Sequence, residues 1–223
     1  MSAGSDRSVS AAIGRPLSRL ATTLETSATT RRSALALFTI LAYLMIGRVI
    51  EPGFTKYWWY QVAQTTATLV LLLILDAVFA QEGGLAWQTH VIVVVMTYAD
   101  VLGTVGGLYD AFEPYDKIIH FFSGAAFAAS VYEVLRLLDQ RGTLAMPPMK
   151  RTLVAVTISF AIAGVSWELY EYLSDVVFAS GRVQSRWDTA HDLICDALGG
   201  IAAVSLLRAR EAVRERVDRR VTV

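Results

Sequence analysis

Six apolar stretches, each close to the 20 residues that a helix needs to cross about 30 Å of hydrocarbon, constrain this chain more than any other feature. They run from about Ser33 to Ile50, Trp58 to Ala80, Leu85 to Leu108, Asp116 to Leu138, Thr152 to Phe178 and Thr189 to Leu207. In a bilayer every backbone N–H and C=O must find a partner inside the protein, and a helix satisfies them within one segment. The expected fold class is therefore all-α, a polytopic integral membrane bundle of six helices. A soluble bundle could show the same alternation of faces in the last three stretches, but the short links leave it too little polar surface. With 54% hydrophobic and 18% charged residues, disorder and collagen-like repeats are excluded. The formal net charge is +0, from 20 basic and 20 acidic residues, so no nucleic-acid partner is expected. Cys195 is the single cysteine, which excludes an internal disulfide and a multi-cysteine zinc site.

Orientation follows from the distribution of Lys and Arg. One side collects Arg7, Arg15, Arg19, Arg31 and Arg32, then Arg136, Arg141, Lys150 and Arg151, then the six arginines from Arg208 to Arg220. The other side has only Arg48, Lys56, Lys117, Arg182 and Arg186. Both termini are therefore expected in the cytoplasm, and an even number of spans agrees in requiring that they share a side. The expected organisation is a flexible cytoplasmic tail over 1–32, the transmembrane domain over 33–207 and a basic helical tail over 208–223. The first tail is rich in Ser, Thr, Ala and Arg but has no apolar h-region, so it reads as a tail with a short surface helix around Pro16 to Leu24. Tyr57, Trp58, Trp59 and Tyr60 stand where an interfacial aromatic belt belongs. Gly103, Gly106 and Gly107 suit close helix packing or a helix end.

Acidic residues interrupt the last spans in register. Asp116 and His120 open the fourth span at i, i+4; Glu168, Glu171 and Asp175 follow i, i+3, i+7 at the outer end of the fifth; Asp188, Asp192 and Asp196 step by four down the sixth, beside His191. Asp100 lies in the outer half of the third. Each acid at a helix centre costs about 2.5 to 3.5 kcal/mol on insertion scales, so the acids must face one another, water or a cation. Capping accounts for Asp116 and Asp188 at most. Asp192 and Asp196 sit roughly 6 and 12 Å deeper at 1.5 Å per residue.

Three uses fit such a pocket. In the leading one, Asp116, His120, Glu168, Glu171, Asp188 and Asp192 hold a divalent cation, Mg²⁺, Mn²⁺, Ca²⁺ or Zn²⁺, that binds or processes an envelope lipid or phosphate headgroup. His191, Asp196, Asp175 and Asp100 are secondary ligands. In the second, the acids serve a proton- or cation-coupled transporter. In the third, Arg48, Lys117, Arg182 and Arg186 neutralise them and the network only locks helices together. Asp76, Glu82, Glu133 and Asp139 fall on the cytoplasmic side, where pairing with Arg136 and Arg141 is the ordinary expectation. His90 reads as a packed histidine. Membrane lipids are the expected partners, and no catalytic residue or reaction is assigned.

The segments Tyr115-Asp116-Lys117-Ile118-Ile119-His120-Phe121-Phe122-Ser123-Gly124, Ser166-Trp167-Glu168-Leu169-Tyr170-Glu171 and Trp187-Asp188-Thr189-Ala190-His191-Asp192 resemble, in order and spacing, the YjdF-like family of bacterial inner-membrane proteins. More distantly they resemble VanZ-like membrane proteins, which share an Asp-x-x-x-His helix start. The resemblance spans about Ala99 to Leu207. It implies the fold and a prokaryotic inner-membrane location, and it singles out the six residues of the leading set without supplying a reaction. VanZ-like proteins are associated with glycopeptide-antibiotic resistance, which implies envelope lipids or sugars by analogy. Gln184-Ser185-Arg186 departs from the family's Gln-Gly-Asp, and a histidine at position 191 is unusual there.

Reporter fusions test the orientation. A reporter that works only outside the cytoplasm is expected to stay inactive at either terminus and to be active between the fifth and sixth spans; activity at a terminus would overturn the reading.

Overall fold

A computed structural model describes residues 6–51, 58–178, 183, 185 and 187–221. Among them the chain is helical with no strand: α1 (Asp6–Ile50), α2 (Trp58–Val78), α3 (Trp87–Val105), α4 (Leu108–Ala111), α5 (Tyr115–Gln140), α6 (Pro148–Ser159), α7 (Ser166–Phe178) and α8 (Asp188–Val221). Six helical segments are long and apolar enough to span a membrane: Ala28–Ile50, Trp58–Val78, Trp87–Val105, Tyr115–Gln140, Pro148–Val177 and Asp188–Val213. α1 begins at Asp6, so residues expected as a tail with a short helix continue the first span's helix without a break.

Local chemistry sets the helix ends. Gly107 adopts φ 68°, a left-handed conformation that glycine takes without penalty, and it separates α3 from α4. Pro114 precedes α5, and Pro148 opens α6, where its missing N–H would have no helical partner. The fifth span departs from the expected plain helix. α6 passes into a π-helical stretch, Phe160–Val165, before α7 resumes regular winding. Such stretches insert a residue into the helical register and occur frequently at functional sites.

α5 is the central helix: half of its most apolar window is buried, against 22–33% in the other spans. Two apolar cores flank it. Leu37, Ile40 and Leu44 of α1 pack with Leu69 and Leu72 of α2 and Val101 of α3. Ala128, Ala129 and Tyr132 of α5 pack with Ala155 of α6 and Val204 and Leu207 of α8. Outward-facing residues such as Leu35, Phe38, Ile46, Leu71, Ile74, Leu198 and Ile201 are exposed, as a hydrocarbon surround requires.

The interface of α5 with α8 is the most extensive in the bundle. It rests on glycine. A Cβ on Gly124 would collide with the Asp196 carbonyl, and one on Gly199 would collide with the Phe121 carbonyl. Gly164, in the π-helical stretch, has Asp196 Oδ2 3.2 Å from where its Cβ would be. Small residues let helix backbones approach where lipid offers no hydrophobic drive between helices.

At the opposite end of α5, ion pairs tie α5, α6 and α8. Arg136 contacts Glu133 at 2.7 Å, and Arg151 contacts Asp139 at 3.0 Å and Glu211 at 3.3 Å. Arg141 pairs with Glu82 at 2.7 Å, and its guanidinium holds the Glu82 carboxyl below the usual carboxylate range. Asp76 accepts from the Thr30 hydroxyl at 2.7 Å and the Leu85 amide at 3.0 Å, and lies 3.0 Å from the buried His90. The expected pairing at this end is present, with Arg151 and His90 taking two of the acids.

Replacing Gly199 with Val is expected to lower stability by about 3 kcal/mol through overpacking. Gly200→Ala, whose added Cβ would meet Ala128 Cβ at 3.3 Å, should stay close to wild type. Thermal unfolding in detergent reads both, and equal midpoints for the two variants would contradict the close crossing.

Candidate functional site

The glycine crossing faces α5 and α8 at the end where both helices begin. Four-residue spacing on each helix puts His120 one turn below Asp116, and Asp192 and Asp196 one and two turns below Asp188. His120 Nδ1 lies 3.1 Å from Asp196 Oδ2, a buried hydrogen bond between the two helices. His120 Nε2 then faces Asp116 Oδ1 at 3.8 Å, Asp192 Oδ1 at 3.8 Å and Glu168 Oε1 of α7 at 4.0 Å. No hydrogen bond forms at those separations. Asp116, His120 and Asp192 offer ligand atoms all within 4.8 Å of one another.

Lys117 stands on the outer side of this group. Its Nζ donates to Asp188 Oδ1 at 2.6 Å and Asp116 Oδ2 at 3.1 Å, and lies 2.8 Å from Asp192 Oδ1. Asp116 makes no cap bond at the start of α5; it serves Lys117 and the cluster. Four buried carboxylate oxygens have no hydrogen-bond partner among the described residues: Glu168 Oε1, Asp192 Oδ1, Asp192 Oδ2 and Asp196 Oδ1, although Asp192 Oδ1 lies 2.8 Å from the Lys117 ammonium. Among the described residues, one lysine and one histidine thus face an excess of acceptor atoms, in a setting where an unpaired polar atom is costly.

The remaining sequence candidates divide. Glu171 reaches the wall of the adjoining cavity rather than the His120 cluster. Asp100 lies across that cavity, accepting from the Tyr109 hydroxyl at 2.6 Å and from Gln61 Nε2 at 3.1 Å. Burial, with Asp100 beside it, pushes the Tyr109 phenol well above its ordinary range, so it remains a donor. Asp175 accepts from the Val183 amide at 2.9 Å. His191 is exposed, on a different face of α8 from Asp192. Arg182 and Arg186, expected as neutralising bases, lie outside the described residues, as do Lys56 and Tyr57.

The cavity measures about 700 Å³ and lies between α2 and α3 on one side and α5, the π-helical stretch and α7 on the other. Asp116 and His120 form part of its wall, with Ser123 one turn further in. Tyr60 and Trp167, 5.8 Å between ring centroids, bridge α2 and α7 at its edge. Sequence reading placed Trp58 and Tyr60 in an interfacial belt. Trp58 is instead buried, donating to the Leu44 carbonyl at 2.8 Å, and Tyr60 lines the cavity; Trp59 remains exposed. Gln64, Tyr109 and Trp167 carry no signal in the sequence that marks them as pocket residues, since amides and aromatics occur in membrane helices for many reasons.

Residues 33–212 match a family described as predicted membrane protein (DUF2238). No curated protein and no solved structure matches the chain.

Lys117→Met removes the ammonium group shared by Asp116, Asp188 and Asp192. Breaking a fully buried pair costs about 3 to 5 kcal/mol; with Lys117 27% exposed, a loss of about 2 kcal/mol is expected. Thermal unfolding at neutral pH checks this, and an unchanged midpoint would show that the lysine contacts contribute nothing.

Proposed function

The chain belongs to the DUF2238 family of predicted membrane proteins, and from that premise we propose that it holds one divalent cation between α5, α7 and α8 and uses it to bind or process an envelope lipid or phosphate headgroup. It is read as a multi-pass protein of the prokaryotic cytoplasmic membrane, with both termini inside and this site near the outer face. The resemblance of its three acidic segments to the YjdF-like family supports the same choice of residues.

The observation that carries the reading is the setting of His120. With Nδ1 engaged by Asp196, Nε2 points at oxygens of Asp116, Asp192 and Glu168, all 3.8 to 4.0 Å away. Ligands held about 2.0 to 2.2 Å from an ion are about 3.0 to 3.5 Å apart, so binding would draw these atoms, those of Asp116, His120 and Asp192 now lying within 4.8 Å of one another, inward by roughly 1 to 2 Å. A carboxylate on the far nitrogen of a metal-binding histidine fixes the tautomer and raises ligand basicity, the role given to Asp196. One imidazole with three carboxylates suits Zn²⁺ or Mn²⁺ better than Mg²⁺ or Ca²⁺, which prefer oxygen alone. Asp188, turned to Lys117, falls outside the ligand set, and Glu171 acts on the ligand side of the pocket. When bound, the ion would supply Lewis acidity towards a phosphate oxygen or a water.

Lys117 favours one other reading. Its three carboxylate contacts allow the acids to act as an ion-pair lock between α5 and α8, with no metal. Elemental analysis of the purified protein, prepared with Mg²⁺, Mn²⁺, Ca²⁺ or Zn²⁺, separates the two. About one equivalent of metal is expected in wild type, lost in His120→Ala and in Asp116→Asn, and weakened about 10- to 100-fold in Asp196→Asn. Lys117→Gln should keep the metal. A wild-type protein free of stoichiometric metal under all four conditions would leave the lock standing and the cation site overturned.

A further inference from the structure

The cavity beside the His120 cluster has a charge that its proposed metal does not use. Asp110 and Glu171 stand on its wall, together with Asp100 and Asp116, and among the described residues no lysine or arginine does. Lys117 contacts Asp116, Asp188 and Asp192, which leaves Asp100, Asp110 and Glu171 as wall acids outside its reach. The wall also presents aromatic faces, Tyr60, Tyr109 and Trp167, and Trp167 shares a face of α7 with Glu171 one turn on. Gln64, on the same wall, has a buried Oε1 with no donor. Acids, ring faces and an unpaired carbonyl are all acceptors of one kind of group, an ammonium.

The other half of the lining is apolar and reaches the outside of the bundle. Leu71 of α2 and Ile162 of the π-helical stretch are each 54% exposed, and Phe127 of α5 is 42% exposed, yet all three line the cavity. All three belong to membrane-spanning segments, so the surroundings they share are hydrocarbon. The cavity therefore joins a polar, anionic inner wall to an opening that faces acyl chains. A water-soluble ligand has no use for that opening.

We propose that this cavity binds a zwitterionic phospholipid bearing an ammonium group, taken sideways from the bilayer between α2 and the π-helical stretch, with its ammonium among Tyr60, Trp167, Asp110 and Glu171. The proposal deepens the headgroup reading above and rests on it for the phosphate, which would face His120 and Asp116. The ammonium compartment stands on its own residues. A net-anionic lipid lacks the cation that offsets the acidic wall and is rejected by like charge. The π-helical stretch has a use in this arrangement. Its displaced turn sets Ile162 and Ala163 on the cavity wall while Gly164 packs against Asp196.

Calorimetric titration of the detergent-solubilised full-length protein tests this. The probes are dihexanoyl-phosphatidylethanolamine, its N-acetyl derivative, dihexanoyl-phosphatidylglycerol and soluble phosphoethanolamine. The ethanolamine lipid is expected to bind about tenfold more tightly than either the N-acetylated or the glycerol lipid, the scale of one desolvated cation–π contact with an ion pair. Glu171→Gln and Asp110→Asn should each shrink that preference to about threefold or less, with metal content unchanged and the protein still folded. Equal affinity for the three lipids overturns the proposal. Equal affinity for soluble phosphoethanolamine and the ethanolamine lipid also overturns it, because the apolar opening would then contribute nothing. A preference shown by protein that takes up no stoichiometric metal under any of the four conditions supports the ammonium compartment while the cation site falls; metal bound without any lipid preference does the reverse.

Discussion

Gly124 and Gly199 let α5 and α8 meet at backbone contact, and the remainder of the site is built on that contact. Two helices separated by ordinary side chains would hold His120 and Asp196 beyond hydrogen-bonding reach. With no Cβ on either glycine, the imidazole of one helix meets the carboxylate of the other at 3.1 Å. Asp116 and Asp192 follow automatically, one turn away on the same two faces. Gly164 extends the contact to a third element, and Glu168 of α7 lies 4.0 Å from the other imidazole nitrogen, Nε2. Van der Waals packing of small residues thus decides a question of electrostatics.

The membrane makes this arrangement consequential. Each acid carried into a span costs free energy unless a partner offsets it, and the two ends of the bundle meet that demand differently. At the end of α5 that carries Arg136, the acids Glu133, Asp139 and Glu211 meet the guanidinium groups of Arg136 and Arg151. At the other end, among the described residues, Lys117 and His120 face Asp116, Glu168, Asp188, Asp192 and Asp196, and four buried oxygens have no hydrogen-bond donor. One end resembles a structural tie, in which each of these acids meets a guanidinium group. The other keeps an excess of acceptors beside a cavity, as a site for a positively charged ligand would.

The helical spacing of the acids was legible without coordinates because a period of 3.6 residues maps sequence directly onto a face. Asp116 with His120 and Asp192 with Asp196 could be placed on shared faces on that basis alone. His191 and Asp192 are neighbours in the chain but point apart, the first exposed and the second buried, so proximity in sequence was a poor guide to their roles. Asp175 illustrates the same limit. Its i, i+7 relation to Glu168 suggested a common site, yet its carboxylate holds the Val183 amide. Trp58 and Tyr60 were read as one belt, although helical rotation between them turns the first into the core and the second towards the cavity.

The sequence by itself determined the class of the molecule, its six spans and the faces that carry charge, because hydrophobic length and helical period are local properties of the chain. Only the tertiary structure decided which acids share an imidazole, that Lys117 stands among them, that the fifth span is interrupted by a π-helical stretch, and that a cavity opens beside them. Those outcomes depend on how far apart and at what rotation separate helices pack. That is fixed by contacts such as Gly124 against Asp196 and Gly199 against Phe121, between residues far apart along the chain.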